Sequence, residues 1–404
     1  MKSTIFSGFV VAAGVASAGA VRAVREEEHS SLKPIKTAYA ARMADSWIRN
    51  NHETGNERWY GTAAFYTGCE AVIARTGNET LRGWYRSRID GLVVGTDGTI
   101  PGWRPTYYSL DDYRIGHNVL HWYDRTGEEK YKTAAETIRA MLDRHPRTTT
   151  GGFWHRDVIY RDQMWLDGIF MADTFYARYT KTFQPDNQTA WDDIVLQYDK
   201  IEAITRVHKT GLMVHGFDES KKAIWADPVT GASPNVWNRA VGWYFWSLAE
   251  VLDLLPRSHP AWDRMLKYFV TLAEGLKRAQ DAESGGWWLV MNEPYPGRKG
   301  NYLESSAAAM FTHGWLAGLK RGYLAEKDYG VPVARAYAHL INHFVMENAN
   351  GTLTLNGTVQ VGSLGSNATF EYYTSIPIVQ QDSRGVGPFL LAAVEWEERN
   401  NIKS

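Results

Sequence analysis

Six stretches of this chain carry glycine, alanine and aromatic residues around nearly their whole circumference. They are Tyr60 to Gly68, Gly116 to Trp122, Trp165 to Tyr176, Val236 to Leu252, Ser305 to Leu316 and Gly385 to Glu395. A helix that is apolar on every face must be buried. The stretches begin about 50 to 80 residues apart, which reads as a loose internal repeat of helix pairs. Between them run segments with one wet face. From Trp262 to Ala279, Met265, Leu266, Phe269, Leu272, Ala273 and Leu276 recur at helical spacing, with Arg264, Lys267, Glu274 and Lys277 opposite. Tyr131 to Leu142 repeats the pattern, with Ile138, Met141 and Leu142 against Lys132, Glu136 and Arg139. Such alternation predicts an all-α fold, a closed (α/α)6 ring of six inner and six outer helices. An open two-layer helical array is the alternative. Gly285 to Val290 and Gly351 to Val361 are expected to carry short strands in the rim loops.

No linker or charge block divides the chain after residue 30, so residues 30–404 are expected to form a single domain. Ahead of it, Lys2 precedes an apolar run from Ile5 to Ala20. Ser17-Ala18-Gly19-Ala20 and Val21-Arg22-Ala23 then offer small-residue cleavage sites. Residues 1–20 are therefore expected to be a signal peptide, too short and too rich in Gly and Ala for a membrane anchor. Five N-x-S/T sequons, at Asn78, Asn187, Asn350, Asn356 and Asn367, agree with a secreted, extracellular glycoprotein. No membrane partner is expected, and with no heptad seam a monomer is the default.

Composition removes several function classes. The 44 basic and 45 acidic side chains leave a formal charge of -1, with no surplus for a row of phosphates, so no nucleic-acid partner is expected. The single cysteine, Cys69, cannot form an internal disulfide, and no Cys/His spacing suggests a metal. No phosphate loop, Rossmann fingerprint, H-E-x-x-H or G-x-S-x-G motif is present. Aromatic residues make up 13% of the chain, including 17 Trp, enough to line a sugar site or to fill a wide core.

Four clusters can carry chemistry. Asp167, between Leu166 and Ile169 at the start of an apolar helix, could have its pKa raised by desolvation, as a general acid requires. Equally, free backbone amides at a helix start could lower it. The doubled acid Asp111-Asp112 opens the helix containing Gly116; it is either a cap or the partner carboxylate of glycosidic chemistry. In the run from His215 to Trp243, Arg239 lies between Trp237 and Trp243; it could grip a carboxylate while the indoles stack on sugar, or serve as a cation–π buttress. Tyr302-Leu303-Glu304-Ser305-Ser306 reads as a helix entry, as does Gln381 to Pro388.

These motifs resemble the unsaturated glucuronyl and rhamnogalacturonyl hydrolases, glycoside hydrolase families 88 and 105, from about Trp47 to Glu397. The specific runs are Gly151-Gly152-Phe153-Trp154-His155 leading to Gln163-Met164-Trp165-Leu166-Asp167-Gly168, then His215-Gly216-Phe217-Asp218-Glu219-Ser220 to Trp237-x-Arg239-Ala240-x-Gly242-Trp243, and Tyr302 to Ser306. The resemblance implies an (α/α)6 barrel and a hydrolase without metal or cofactor. It places Asp167 at the family's general acid/base and Asp111 at its second aspartate, with Asp112 competing because the register is ambiguous by one. Tyr60, His155, Trp165, His215, Trp237, Arg239 and Trp243 fall at positions lining the substrate pocket. Gly216, where family 88 tends to have Gln, favours family 105, while Arg161 and Thr174 stand where Pro is common.

The implied substrate is an oligosaccharide ending in a 4,5-unsaturated uronic acid left by a polysaccharide lyase, with rhamnose from pectin expected next to it. Hydration of the C4=C5 bond, with Asp167 protonating C4 and helping to deliver water to C5, would open the sugar and release the rest. Two other readings stand beside this one. An ordinary inverting glycosidase would use Asp167 and Asp111 on saturated substrates, and a secreted sugar-binding protein would keep the aromatic pocket without catalysis.

Overall fold

The computed structural model describes residues 35–50, 52 and 56–403, so the expected signal peptide lies outside the described residues. Helices follow in pairs: α1 (Ala40–Arg49) and α2 (Tyr60–Thr76), α3 (Glu79–Ile89) and α4 (Ile115–Thr126), α5 (Glu129–Asp143) and α6 (166–183). After these come α7 (Gln188–Thr205) and α8 (Asn238–Leu254), α9 (Trp262–Ala279) and α10 (Ser305–Lys320), α11 (Glu326–His339), the short α12 (Phe370–Ser375) and α13 (Ser383–Arg399). The even-numbered α2, α4, α6, α8 and α10, with α13, contain the six stretches that are apolar all round. Each packs on the next in that order, and α13 packs back on α2, so the ring closes. Outside it, α1, α3, α5, α7, α9 and α11 lay their apolar stripes on the inner helices. In α9, Met265, Phe269, Leu272, Ala273 and Leu276 are buried as the spacing predicts. The architecture is an (α/α)6 barrel.

Glycine sets how tightly the ring closes. A Cβ on Gly68 of α2 would lie 2.6 Å from the Gly387 carbonyl oxygen, and one on Gly387 of α13 would lie 2.5 Å from that of Ala64. Any side chain at this crossing forces the two helices apart, which explains why the inner helices combine glycine with large rings. The rings fill the remaining space, and Trp243, Trp246 and Trp315 are each 1% exposed or less. Every large apolar side chain buried in this way contributes about 1.5–3 kcal/mol. Cys69 is buried among them.

Across the barrel runs one charged brace. Arg114, fully buried, donates to both carboxylate oxygens of Glu250 on α8 at 2.8 and 3.0 Å, to Thr174 on α6 and to Thr67 on α2. Its guanidinium lies 4.0 Å from the Phe170 ring centroid.

Strands are confined to the rim. β1 (Gln163–Trp165), β2 (Arg206–Val207), β3 (Leu212–Met213), β4 (Gly216–Asp218), β5 (Val345–Glu347), β6 (Leu353–Leu355), β7 (Thr358–Val359) and β8 (Ile378–Val379) form four two-stranded antiparallel ladders. The strands expected in 351–361 are β6 and β7. Those expected at Gly285 to Val290 are instead isolated bridges, Trp288 with Leu303 and Val290 with Trp237, because each contact spans a single residue. Among the described residues no helix is long and apolar enough to cross a membrane.

Candidate active site

The residues from the start of α2, the turn before α4 and the start of α6 meet in one cleft of about 250 Å³. Tyr60 opens α2, Asp111 and Asp112 occupy a 3-10 turn (Leu110–Asp112) before α4, and Asp167 sits in the first turn of α6. His155 and Trp165 complete the wall. The N-terminal ends of these helices thus share one face, where their partial positive charge favours an anion.

Asp167 owes its place to β-sheet register. Trp165 of β1 pairs with Gly216 of β4, and the Leu166 amide donates to the His215 carbonyl at 3.0 Å. The two flanking side chains are brought together, with His215 Nε2 3.0 Å from Asp167 Oδ2. Gly216 permits the ladder, since a Cβ there would sit 2.6 Å from the Met164 carbonyl oxygen. A Gln at this position would not fit this backbone. His215 is fully buried, and its Nδ1 lies 2.8 Å from the Tyr373 hydroxyl on α12. Burial drives the Tyr373 phenol well above its usual pKa, so it keeps its proton and can donate to Nδ1. The imidazole then directs Nε2–H at Asp167, a tautomer fixed by its outer partner. Immediately beyond Asp167, α6 widens into a π-type turn over Ile169–Asp173.

Electrostatics separate the two aspartates. Burial pushes Asp167 up, but attraction to His215 and its hydrogen bond hold it below the ordinary carboxylate range. Of the two directions open from sequence, the lowered one prevails, through histidine rather than through helix amides alone. Burial raises Asp111; Arg156, which donates to Oδ2 at 2.5 Å, opposes this and the charge of Asp167 reinforces it. Asp112 is pushed up to about 6 by burial and by the Asp111 charge, against the pull of Arg58 and Arg104. Asp111 is thus paired with Arg156, while the charge of Asp112 is felt by Arg58, Arg104 and Arg156. His155 is stacked on Trp165, centroids 4.0 Å apart at 13°, and burial lowers its pKa to about 3. It is neutral, 3.7 Å from Asp111 Oδ1.

Four of the residues expected to line the pocket lie behind its wall: His215, which is fully buried and meets the cleft only through Asp167, and Arg239, Trp237 and Trp243. Arg239, 1% exposed, donates to the main-chain carbonyls of Val359 and Gln360, with its guanidinium 4.7 Å from the Trp237 centroid. This is the buttress arrangement, and it leaves Arg239 holding the loop after β7. Trp237 stacks on Tyr373 and presses against Gly362, where a Cβ would meet the indole at 2.7 Å. Trp243 supports Tyr60 edge-on, centroids 6.1 Å apart, and stacks on Phe170. Glu304 caps α10 by accepting from the Ala307 amide and also accepts from the Val359 amide, so the 302–306 run is a helix entry that pins the same loop.

Sequence reasoning missed Arg156 and Tyr373. The first directly follows His155 and was legible as the cation of the same motif. The second lies 158 residues from His215 on a short helix, with nothing local to mark it. Of the sequon residues, Asn187, Asn350 and Asn367 are exposed and Asn78 and Asn356 half-buried. Among the described residues no group of His, Cys, Asp and Glu is placed to hold a metal ion. A larger cavity of about 640 Å³ is lined from the C-terminal ends of the inner helices by Asp124, Lys181, Asp253 and Arg321. Its arginines are already paired, Arg178 with Asp124 and Arg321 with Asp253, so chemistry belongs to the smaller cleft.

A helical barrel that gathers two aspartates, two histidines and stacked aromatic rings at one mouth is the frame of a carbohydrate-cleaving enzyme. The chain belongs to glycosyl hydrolase family 88, whose sequence pattern matches residues 38–400, and it is a glycoside hydrolase. Protein Atu3128 of Agrobacterium fabrum is 33% identical over 213 residues, which cover 50% of this chain and 89% of that protein. Unsaturated rhamnogalacturonyl hydrolase YesR of Bacillus subtilis is 28% identical over 256 residues, covering 62% of this chain and 67% of that one. The solved structure of a C. acetobutylicum glycoside hydrolase from family 105 matches with a TM-score of 0.86 at 36% identity, covering 90% of this chain and all of the other.

Proposed function

We propose that the protein removes a 4,5-unsaturated uronic acid from the non-reducing end of lyase-generated pectin or rhamnogalacturonan oligosaccharides by hydrating the C4=C5 bond. The observation that carries this reading is the Asp167–His215–Tyr373 chain, which gives the cleft one aspartate held in fixed orientation and charge. Family membership supports an unsaturated-uronyl substrate, and the relative named for rhamnogalacturonyl chemistry supports the sugar type.

In this mechanism Asp167 rests as a carboxylate. The incoming uronate is itself an anion and expels water, and both effects raise the pKa of Asp167 so that it takes up a proton. Asp167 delivers that proton to C4, and charge develops at C5. Water adds to C5 and returns a proton to Asp167. The C5 hemiketal then opens, freeing a hemiacetal at C1 that collapses and releases the rest of the oligosaccharide. Asp111, held in place by Arg156, orients sugar hydroxyls. Trp165, stacked on His155, forms a flat apolar wall against which the sugar ring lies. The double bond abolishes the C4 configuration that separates galacturonate from glucuronate, so discrimination rests on the linkage at C1 and on sugars beyond the first.

The protein is secreted and monomeric in this reading. The leader-like run and three exposed sequon asparagines support export. Mass measurement of the mature protein tests the leader and the glycans together.

The deciding assay mixes purified protein with unsaturated rhamnogalacturonan oligosaccharides and follows the ultraviolet absorbance of the conjugated uronate. Loss of absorbance with release of a sugar is the expected result. Constant absorbance with cleavage of saturated glycosides would replace this reading by an inverting glycosidase.

A further inference from the structure

The cleft continues outward past Asp112 to Arg104 and Tyr107. Arg104 is exposed, and its guanidinium carbon lies 3.7 Å from the Tyr107 ring centroid, a cation–π contact that tethers the side chain. The turn beneath is anchored by Arg58, whose Nη2 donates to the Gly102 carbonyl at 3.2 Å. The arginines nearer the reacting end already have acids: Arg156 pairs with Asp111, and Arg384 with Asp382. Among the described residues Arg104 forms no ion pair, although its charge lowers the pKa of Asp112. A cation fixed on an aromatic ring at the mouth of a sugar-binding cleft, with its fork of donors unused, has the geometry for a carboxylate.

We infer that Arg104, held on Tyr107, binds a second carboxylate of the substrate, on a uronate beyond the first glycosidic bond. This deepens the proposed function and rests on it. The unsaturated ring no longer carries the C4 configuration that separates galacturonate from glucuronate, so the parent polymer is read from the linkage at C1 and from the sugars beyond it. The outer cation reads acidity further along, and selects chains in which uronates recur over chains with a single acidic end.

Three unsaturated substrates separate the outcomes: a disaccharide, a tetrasaccharide with a second uronate, and a tetrasaccharide whose remaining sugars are neutral. In the wild type, kcat/KM is highest on the acidic tetrasaccharide. In Arg104→Gln, the ratio of acidic tetrasaccharide to disaccharide falls about tenfold, the worth of one charge-assisted hydrogen bond, entirely through KM. The ratio of neutral tetrasaccharide to disaccharide stays as in the wild type, and Arg104→Lys recovers part of the loss. The wild-type preference for the acidic chain shrinks with added salt. Equal kinetics of wild type and Arg104→Gln on the acidic chain, or an equal loss on all three substrates, overturns the assignment of Arg104. A wild type that consumes none of the three double bonds overturns the proposed function itself.

Discussion

Trp165 and Gly216 face each other across a two-stranded ladder, and this single pairing brings Asp167 to 3.0 Å from His215. The aspartate comes from the residue pair after one strand and the histidine from just before the other. Neither has to be positioned by its own helix. The reacting carboxylate is thereby set by backbone hydrogen bonds, which are stiffer than a side-chain network, and Tyr373 completes the orientation from behind.

Asp167→Asn keeps the shape and removes the exchangeable proton. Turnover of the unsaturated uronate, read by its absorbance, is expected to fall by at least about 10³-fold, the range for loss of a general acid–base group. The melting temperature should stay close to that of the wild type. Turnover within tenfold of the wild type would take Asp167 out of the chemistry.

Tyr373→Phe deletes only the hydroxyl that fixes the His215 tautomer, while its ring keeps the stacking on Trp237, 5.6 Å between centroids at 16°. Loss of such an outer partner is expected to lower kcat by about 10- to 100-fold. KM should change little, and the pH profile of kcat should shift because Asp167 loses a fixed donor. A phenylalanine variant with the kcat and pH profile of the wild type would show that His215 needs no support from Tyr373.

Much of the barrel was legible because its signal is repetitive. Six segments apolar on all sides, with striped ones between, admit few other arrangements, and α9 matches the stripe read from Trp262 to Ala279. The carboxylates of the cleft were legible because they stand at helix starts beside unusual aromatic runs. Apart from Arg156, what escaped notice has no local pattern. Arg239 sits between two tryptophans whether it grips substrate or two carbonyls, and the loop from Val359 to Gln360 that decides the matter lies 120 residues further on. The direction of the Asp167 pKa was undecidable for the same reason, since it depends on His215 across a strand pair.

Arg239 separates the two roles in solution. If it holds the loop after β7, Arg239→Met unpairs the buried Val359 carbonyl and the part-buried Gln360 carbonyl and costs about 2–4 kcal/mol, since an unpaired buried group costs about 1–3 kcal/mol and a partly solvated one less. Thermal unfolding should shift down by several degrees, and proteolysis should begin within 358–363. A variant that melts like the wild type but has a sharply raised KM would return Arg239 to the substrate.

Asp112 yields a pH signature. Its folded pKa, about 6, stands above its value in the unfolded chain, so the protonated form is favoured by folding. The stability it contributes is fully present below about pH 4, the unfolded carboxylate range, and is lost as pH rises through about 6. Asp112→Asn cannot ionise and escapes this loss. The melting temperature of the variant relative to the wild type should therefore rise steadily from pH 4 to pH 7 and then level off. Arg104 and Arg58 act in the opposite sense by stabilising the ionised form, so high salt, which screens the exposed Arg104 most, should widen the gap at pH 7. A difference between the two proteins that is constant across this range would place Asp112 in open solvent with an ordinary carboxylate pKa.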